Sequence, residues 1–229
     1  MEDDGTSSPT CSIIVPAFNE EAGLAVVLRK LLQSVGSDCE LIVVDDGSTD
    51  ATATVARGFP VRLVQHERNR GKGVALKTGI EAASSGIVIW IDADDTYPPD
   101  VIPRMVEALS GSYDLVYTTR SRTNIPTFNR LAAGLFSWTA RTVYGFKPPD
   151  AFSGLCGVRK QHLERMNLDA TGFAIEIEVA MKAGRMRLRM LDFPIEYGAR
   201  IGTSKLNGPK AGAQIAMHLL RYLAWQPKR

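Results

Sequence analysis

The sequence predicts an α/β fold, a single domain on a mainly parallel sheet, and three observations carry that prediction. Short β-branched runs alternate with amphipathic segments through the first half of the chain. The runs are continuously apolar, without the polar alternation of a half-exposed strand, which suits a sheet covered on both faces. Strand–helix–strand repetition then implies parallel pairing through right-handed crossovers. At 229 residues, 45% of them apolar, the chain is long enough for one sizeable core and short for two full domains.

The elements follow in order. Ser12-Ile13-Ile14-Val15 is a buried strand cut by Pro16, and 20–35 is a helix with Asn19 as N-cap and Gly36 as its stop. Leu41 to Val44 is the next strand, 48–57 a helix stopped by Gly58 and Pro60, and 61–65 a third strand. A helix over 73–83 and a strand over 87–91 complete the half-sheet. Beyond residue 95 the regularity loosens, with helices expected at 99–109, 127–144, 173–183 and 208–225 and extended segments at 115–118, 155–158 and 186–195. The division expected is a disordered tail over 1–10, a folded domain over 11–206 and an amphipathic helix over 207–229. Within the domain, 11–95 reads as a nucleotide-binding half and 96–206 as the half that holds the other substrate.

Lys and Arg number 27 against 25 Asp and Glu, so a strongly basic nucleic-acid binder is excluded and no nucleic-acid partner is expected. The charge is unevenly placed: residues 1–60 carry 10 acids and 3 bases, and 181–229 carry 2 acids and 10 bases. Anionic ligands at the basic end and a metal at the acidic one are one reading, and a solvated basic face is the other. Cys11, Cys39 and Cys156 have neither metal-ligand nor redox spacing, which points to a reducing, cytoplasmic compartment. The acidic start lacks the pattern of a signal peptide. The longest apolar candidate, 211–225, contains His218 and Arg221 and falls short of the roughly 20 residues that cross a bilayer. A soluble chain, at most peripheral on the cytoplasmic membrane face, is therefore expected. Ile215, Leu219 and Tyr222 share one face of the last helix, with Lys205, Lys210, Arg221, Lys228 and Arg229 around it; membrane docking or ordinary packing would both use that face.

Ligands of parallel α/β sheets gather at the carboxyl ends of the strands. Those ends carry Pro16-Ala17-Phe18-Asn19-Glu20, Asp45-Asp46-Gly47-Ser48 and Asp92-Ala93-Asp94. Alternate residues leaving a strand point the same way, so Asp92 and Asp94 face one spot. Carboxylate oxygens suit Mg²⁺ or Mn²⁺, which bridge to substrate phosphates. Asp45 and Asp46 read either as a turn before an N-cap or as acceptors for a nucleobase and ribose. Lys72, in Asn69-Arg70-Gly71-Lys72-Gly73, reads as a phosphate ligand or a solvated loop base. No P-loop and no G-x-G-x-x-G follows the first strand, which disfavours an ATPase and a nicotinamide dehydrogenase. Arg200 to Lys205 is a basic loop fit to cover a diphosphate. The three histidines read as structural or surface groups.

The ordered set resembles the inverting family-2 glycosyltransferases of GT-A fold, above all the branch that transfers sugars to polyprenyl (dolichyl-type) phosphates. It comprises Pro-Ala-Phe-Asn-Glu at 16–20, Val-Asp-Asp-Gly-Ser at 44–48, Asn-x-Gly-Lys-Gly at 69–73 and Asp-Ala-Asp at 92–94. Ser-Arg at 121–122, Asp-x-x-Ser-Gly at 150–154, Gly-Phe at 172–173 and Arg-x-x-Gly-x-Ser-Lys at 200–205 continue it. The resemblance implies a nucleotide-diphosphate sugar as donor, linked to GDP or UDP, and a divalent cation, Mg²⁺ or Mn²⁺, as cofactor. It implies that Pro16, Ala17 and Glu20 line the nucleoside pocket, that Asp45 and Asp46 hold base and ribose, and that Asp92 and Asp94 hold the cation. Arg122 and Arg130 would meet the acceptor phosphate, Arg200 and Lys205 would close over the leaving diphosphate, and Asp150 would sit near the acceptor. Thr96 stands where that branch usually has Gln, so a water would take the place of the third protein ligand. Many relatives also carry C-terminal transmembrane helices, and this sequence shows none. A phosphate acceptor is already ionised and needs little base help, whereas a soluble hydroxyl acceptor would use Asp150 as base. A nucleotide-sugar binding module without turnover is the reading from another class, disfavoured by the intact Asp92/Asp94 pair.

Overall fold

The computed structural model describes residues 9–121, 127–205 and 208–227, with side chains described from 134 and from 212 in the helices that begin at 127 and 208. Residues 1–8 of the expected tail lie outside that set. The first half folds as β1 (Cys11–Ala17), α1 (Glu21–Ser34), β2 (Cys39–Asp45), α2 (Thr52–Arg57), β3 (Arg62–Gln65), α3 (Lys72–Ala82) and β4 (Ile87–Trp90). The second half adds α4 (Ile102–Ser110), β5 (Leu115–Arg120), α5 (Thr127–Tyr144), β6 (Cys156–Arg159), α6 (Lys160–Met166), α7 (Ile175–Arg185), β7 (Met190–Ile195) and α8 (Gly208–Arg221).

The seven strands form one sheet in the order β3-β2-β1-β4-β6-β5-β7. β1 pairs parallel with β2 on one side and β4 on the other, and β6 runs antiparallel to both β4 and β5. The chain thus leaves β1 in one direction and returns through α3 on the other side of it. That reversal opens a crevice at the carboxyl ends of β1 and β4, the place where such sheets bind ligands. Apolar side chains cover both faces, with α1 and α4 on one (Leu24, Leu28, Ile102, Met105) and α3, α5 and α7 on the other (Leu76, Tyr144, Ile177).

Several boundaries differ from the expected ones for local reasons. β1 runs through Pro16 to Ala17, because pairing with β4 has ended at Ile14 and no ladder there needs the missing Pro16 N–H. Asn19 is not an N-cap: it adopts φ 53°, and its Oδ1 accepts a hydrogen bond from the Thr49 amide at 2.8 Å. The second helix starts at Thr52, since Ser48 turns its hydroxyl to the Asn19 amide and Asp50 accepts from the Thr52 amide. α6 was not expected, being too short to show a periodicity. β7 begins at 190 rather than 186, after a left-handed Arg187, and it tolerates Pro194 because it is an edge strand. The last helix ends at Arg221 and is followed by a 3₁₀ turn over Tyr222–Ala224.

Of the two uses open to the Ile215–Leu219–Tyr222 face, α8 shows ordinary packing: Ile215, His218 and Tyr222 are buried against the protein. Met217, Leu220 and Leu223 are exposed instead, joined on α5 by Leu135, Trp138 and Val143. The Tyr144 hydroxyl donates to the Leu219 carbonyl and ties the two helices together.

Candidate active site

The site is built where β1, β4 and the 200–205 loop converge. Pro16 and Ala17 close β1 as buried residues, and Glu20 precedes α1 with 8% of its surface exposed. Glu20 Oε1 accepts from Arg200 and from Lys205 Nζ (3.3 Å), while Lys205 also donates to the Asn19 carbonyl at 2.7 Å. Glu20 Oε2 is buried with no hydrogen-bond partner among the described residues. Burial raises the pKa of Glu20, and Arg200 and Lys205 pull it back only in part.

Asp45 and Asp46, each 2% exposed, first of all hold their own loop. Asp45 accepts from the Ser48 amide (3.0 Å) and Gln65 Nε2 (3.1 Å). Asp46 accepts from the amides of Arg70 (3.0 Å) and Gly71 (2.7 Å) and lies 2.6 Å from His66 Nδ1, whose other nitrogen meets Thr78 Oγ1 at 3.0 Å. His66 is therefore a structural group in the wall of the site. Gly71 has φ 96°, and a Cβ there would lie 2.4 Å from the Thr171 carbonyl oxygen, so only glycine lets this turn pack against the 170–172 segment.

That packing delivers Lys72, the first residue of α3, to the middle of the crevice. Its Nζ lies 2.6 Å from Asp92 Oδ1 and 2.5 Å from Glu176 Oε1, and 5.8 Å from the centre of the Phe173 ring. Burial works against the ammonium, but the two carboxylates outweigh it and its pKa is raised. Lys72 is accordingly not a solvated loop base.

Asp92 follows β4 and keeps 24% of its side chain exposed. A Cβ on Gly154 would fall 2.2 Å from Asp92 Oδ2, so the 150–154 loop closes on that carboxylate at a distance only glycine allows. Burial, Asp94 and Glu176 push the Asp92 carboxyl up to about 6 against the pull of Lys72. Asp94 is 2% exposed; Thr96 donates to its Oδ1 from the amide (3.1 Å) and the hydroxyl (2.6 Å), and Arg200 donates to Oδ2. Arg200 thus bridges Glu20 and Asp94, and Lys72 bridges Asp92 and Glu176.

No three of His, Cys, Asp and Glu gather closely enough among the described residues to hold a metal by themselves. The donor set fits a hard divalent cation nonetheless. Asp94 lies near enough to Asp92 to raise its proton affinity, and two carboxylates leave the remaining positions of such a cation to water and phosphate oxygens.

Asp150 opens the same 150–154 loop. Its two oxygens accept from Arg120 Nε (2.6 Å) and an Arg120 terminal nitrogen (3.0 Å), and Oδ1 also accepts from the Phe152 amide. The Arg120 guanidinium lies 5.4 Å from the Tyr197 ring centre. Arg122 and the Arg130 side chain lie outside the described residues. Sequence reasoning missed Arg120 and Glu176 as partners of the site. Arg120 stands next to Ser121-Arg122, and Glu176 lies in the first turn of the helix expected at 173–183; neither spacing reveals the residue each meets.

Residues 12–172 match the profile of glycosyl transferase family 2. The chain belongs to that family. This family-2 glycosyltransferase is 30% identical to a dolichol-phosphate mannosyltransferase of Mycosarcoma maydis, over 89% of this chain and 76% of the relative. It is 28% identical to a dolichol-phosphate mannosyltransferase of Pyrococcus furiosus, over 94% of this chain and 64% of the relative. Among solved structures it resembles glucosyl-3-phosphoglycerate synthase from Mycobacterium tuberculosis in complex with Mn²⁺, UDP-glucose and phosphoglyceric acid, with TM-score 0.79 and 26% identity over 95% of this chain and 81% of that one. These neighbours confirm the GT-A fold of the family-2 enzyme and its relationship to the polyprenyl-phosphate sugar branch. No helix among its described residues is long and apolar enough to cross a membrane.

Proposed function

We propose that this family-2 glycosyltransferase moves a sugar, with inversion, from a nucleotide-diphosphate sugar to a polyprenyl phosphate. The observation that carries the reading is the pair of bridges at the strand ends, Lys72 between Asp92 and Glu176 and Arg200 between Glu20 and Asp94. They put two positive charges among four carboxylates where a pyrophosphate would depart. Asp92 and Asp94 would hold Mg²⁺ or Mn²⁺, which supplies positive charge for the leaving diphosphate when bound.

The chain's own residues do the rest. Pro16, Ala17, Asp45 and Asp46 wall the nucleoside end, and a hydrogen bond from base or ribose to either aspartate adds to those already accepted. Arg200 and Lys205 are held by Glu20 and would turn to the diphosphate, stabilising charge as it develops. The acceptor phosphate is already ionised, so no side chain has to take its proton. This agrees with an Asp150 whose two oxygens are occupied by Arg120. Arg122 and Arg130 would meet the acceptor phosphate.

The outward apolar face of α8, with Trp138 and Leu135 on α5, supports a lipid-borne acceptor reached at a membrane surface. Arg141 on α5 and Arg221 on α8 are exposed, the latter in an ion pair with Asp169, and both would complement anionic headgroups. The wild-type chain should float with anionic liposomes and Leu220→Glu should stay in the sedimented fraction; equal recovery of both removes this surface from the reading. A soluble acceptor is the second reading. It is favoured by the likeness to a synthase solved with phosphoglyceric acid, and it would use Asp150 as base for a hydroxyl group.

Donor chemistry is tested by thermal shift with GDP or UDP, each with and without Mn²⁺. A ligand at 100 times its Kd adds about 2.7 kcal/mol, so one base with Mn²⁺ should raise the melting temperature by about 5–10 °C for a domain of this size. No shift with either nucleotide would remove the donor assignment.

A further inference from the structure

At the opposite pole of the sheet from the site, β1 and β2 each begin with a cysteine. Cys11 and Cys39 open the two strands and face each other in register. Their sulfurs lie 2.6 Å apart, a short step from the bond length of about 2.05 Å. Cys11 is completely buried, whereas Cys39 is half-buried and borders the exposed turn Gly36-Ser37-Asp38. The Cys11 thiol donates a hydrogen bond to Cys39. That bond lowers the pKa of Cys39, and the same contact with burial raises that of Cys11. One sulfur is thus reachable from solvent and inclined to the thiolate, with the other waiting behind it as the proton donor. Cys156 lies apart on β6, fully buried.

We infer that Cys11 and Cys39 form a peroxide-oxidisable dithiol that closes to a disulfide strapping β1 to β2. In the first step the Cys39 thiolate attacks one oxygen of hydrogen peroxide and the O–O bond breaks. Sulfur is oxidised to the sulfenic acid, and the departing hydroxide takes a proton to become water. In the second step the Cys11 sulfur attacks the Cys39 sulfur, its proton passes to the sulfenic oxygen, and a second water leaves as the S–S bond forms. Two thiols and one peroxide give one disulfide and two waters. Burial sets this order, because Cys11 is fully buried and Cys39 is not. The bond would link positions 28 apart in the chain and close the loop that contains α1, which restricts the unfolded chain. The two strands are already paired, so closure asks for little movement.

The test treats the full chain with hydrogen peroxide in the presence of dimedone, then alkylates under denaturing conditions and reads intact and peptide masses. The native chain is expected to lose two hydrogens, to keep one of its three thiols (Cys156) and to yield a Cys11–Cys39 linked peptide without a dimedone adduct. Cys11→Ala should trap dimedone at Cys39, and Cys39→Ser should keep both remaining thiols. A native chain that carries dimedone or a sulfinic acid at Cys39, or that keeps all three thiols, overturns the inference. The linked peptide is read on the unsubstituted chain, so the result does not depend on either variant folding.

Discussion

Asp94→Asn is expected to lower sugar transfer by about 10²–10³-fold or more, the range seen when a group that stabilises transition-state charge is removed. The amide keeps the shape of the carboxylate and can still accept from the Thr96 amide and hydroxyl, so the β4 end should keep its fold. It loses the charge that pairs with Arg200 and, in the proposed function, the charge that holds a divalent cation. Asp92→Asn should have the same effect for the same reason. Steady-state kcat/KM with Mn²⁺, measured beside the melting temperature, separates lost chemistry from lost folding. Turnover at the wild-type level in chelator-treated buffer would sink the assignment of this pair.

Lys72→Met should act first on stability. The ammonium is the shared counter-charge of Asp92 and Glu176, and its side chain is only 14% exposed. Removing one partner of a buried ion pair typically costs about 3–5 kcal/mol, which lowers the melting temperature of a domain this size by about 6–20 °C. Asp92 makes the loss depend on pH, with a sign that can be stated in advance. Its carboxyl is already raised from 3.8 to about 6, so the folded chain holds a proton that the unfolded chain has released across that window. Stability from this group therefore falls as pH rises from about 4 to 6. Without Lys72, the group that pulls Asp92 down, the window moves upward, and Lys72→Met should be more stable at pH 6 than at pH 8. Mn²⁺ should restore part of the loss at pH 8 by supplying the missing charge. A melting temperature of Lys72→Met that is independent of both pH and Mn²⁺ would show that the lysine does not neutralise Asp92.

The same two residues mark how far the sequence could be read. Asp92 and Asp94 were legible because strand geometry sends alternate side chains the same way, a local rule that needs no partner. Lys72 stood out only as a base in a glycine-rich loop, with its role left open. What holds it is Glu176, 104 positions later, and the turn that aims it depends on Gly71 fitting against Thr171. Asp45 and Asp46 were visible as a carboxylate pair, yet their partners, Gln65, His66 and two loop amides, showed only once the strands were assembled.

The sequence by itself determined the α/β class, the order of the elements in the first half, the strand ends that carry the site and the family. Each follows from periodicities and short motifs that act within one turn or one strand. The tertiary structure alone decided the antiparallel insertion of β6 between β4 and β5, the two cation bridges, the Arg120–Asp150 pair and the outward face of α8. Those are contacts between segments tens of residues apart, set by how the sheet's faces are covered and where β1 and β4 part. For α8 the physical reason is plain: Ile215 and Tyr222 gain more from burial against the domain than from any surface, so Met217 and Leu220 are left facing out.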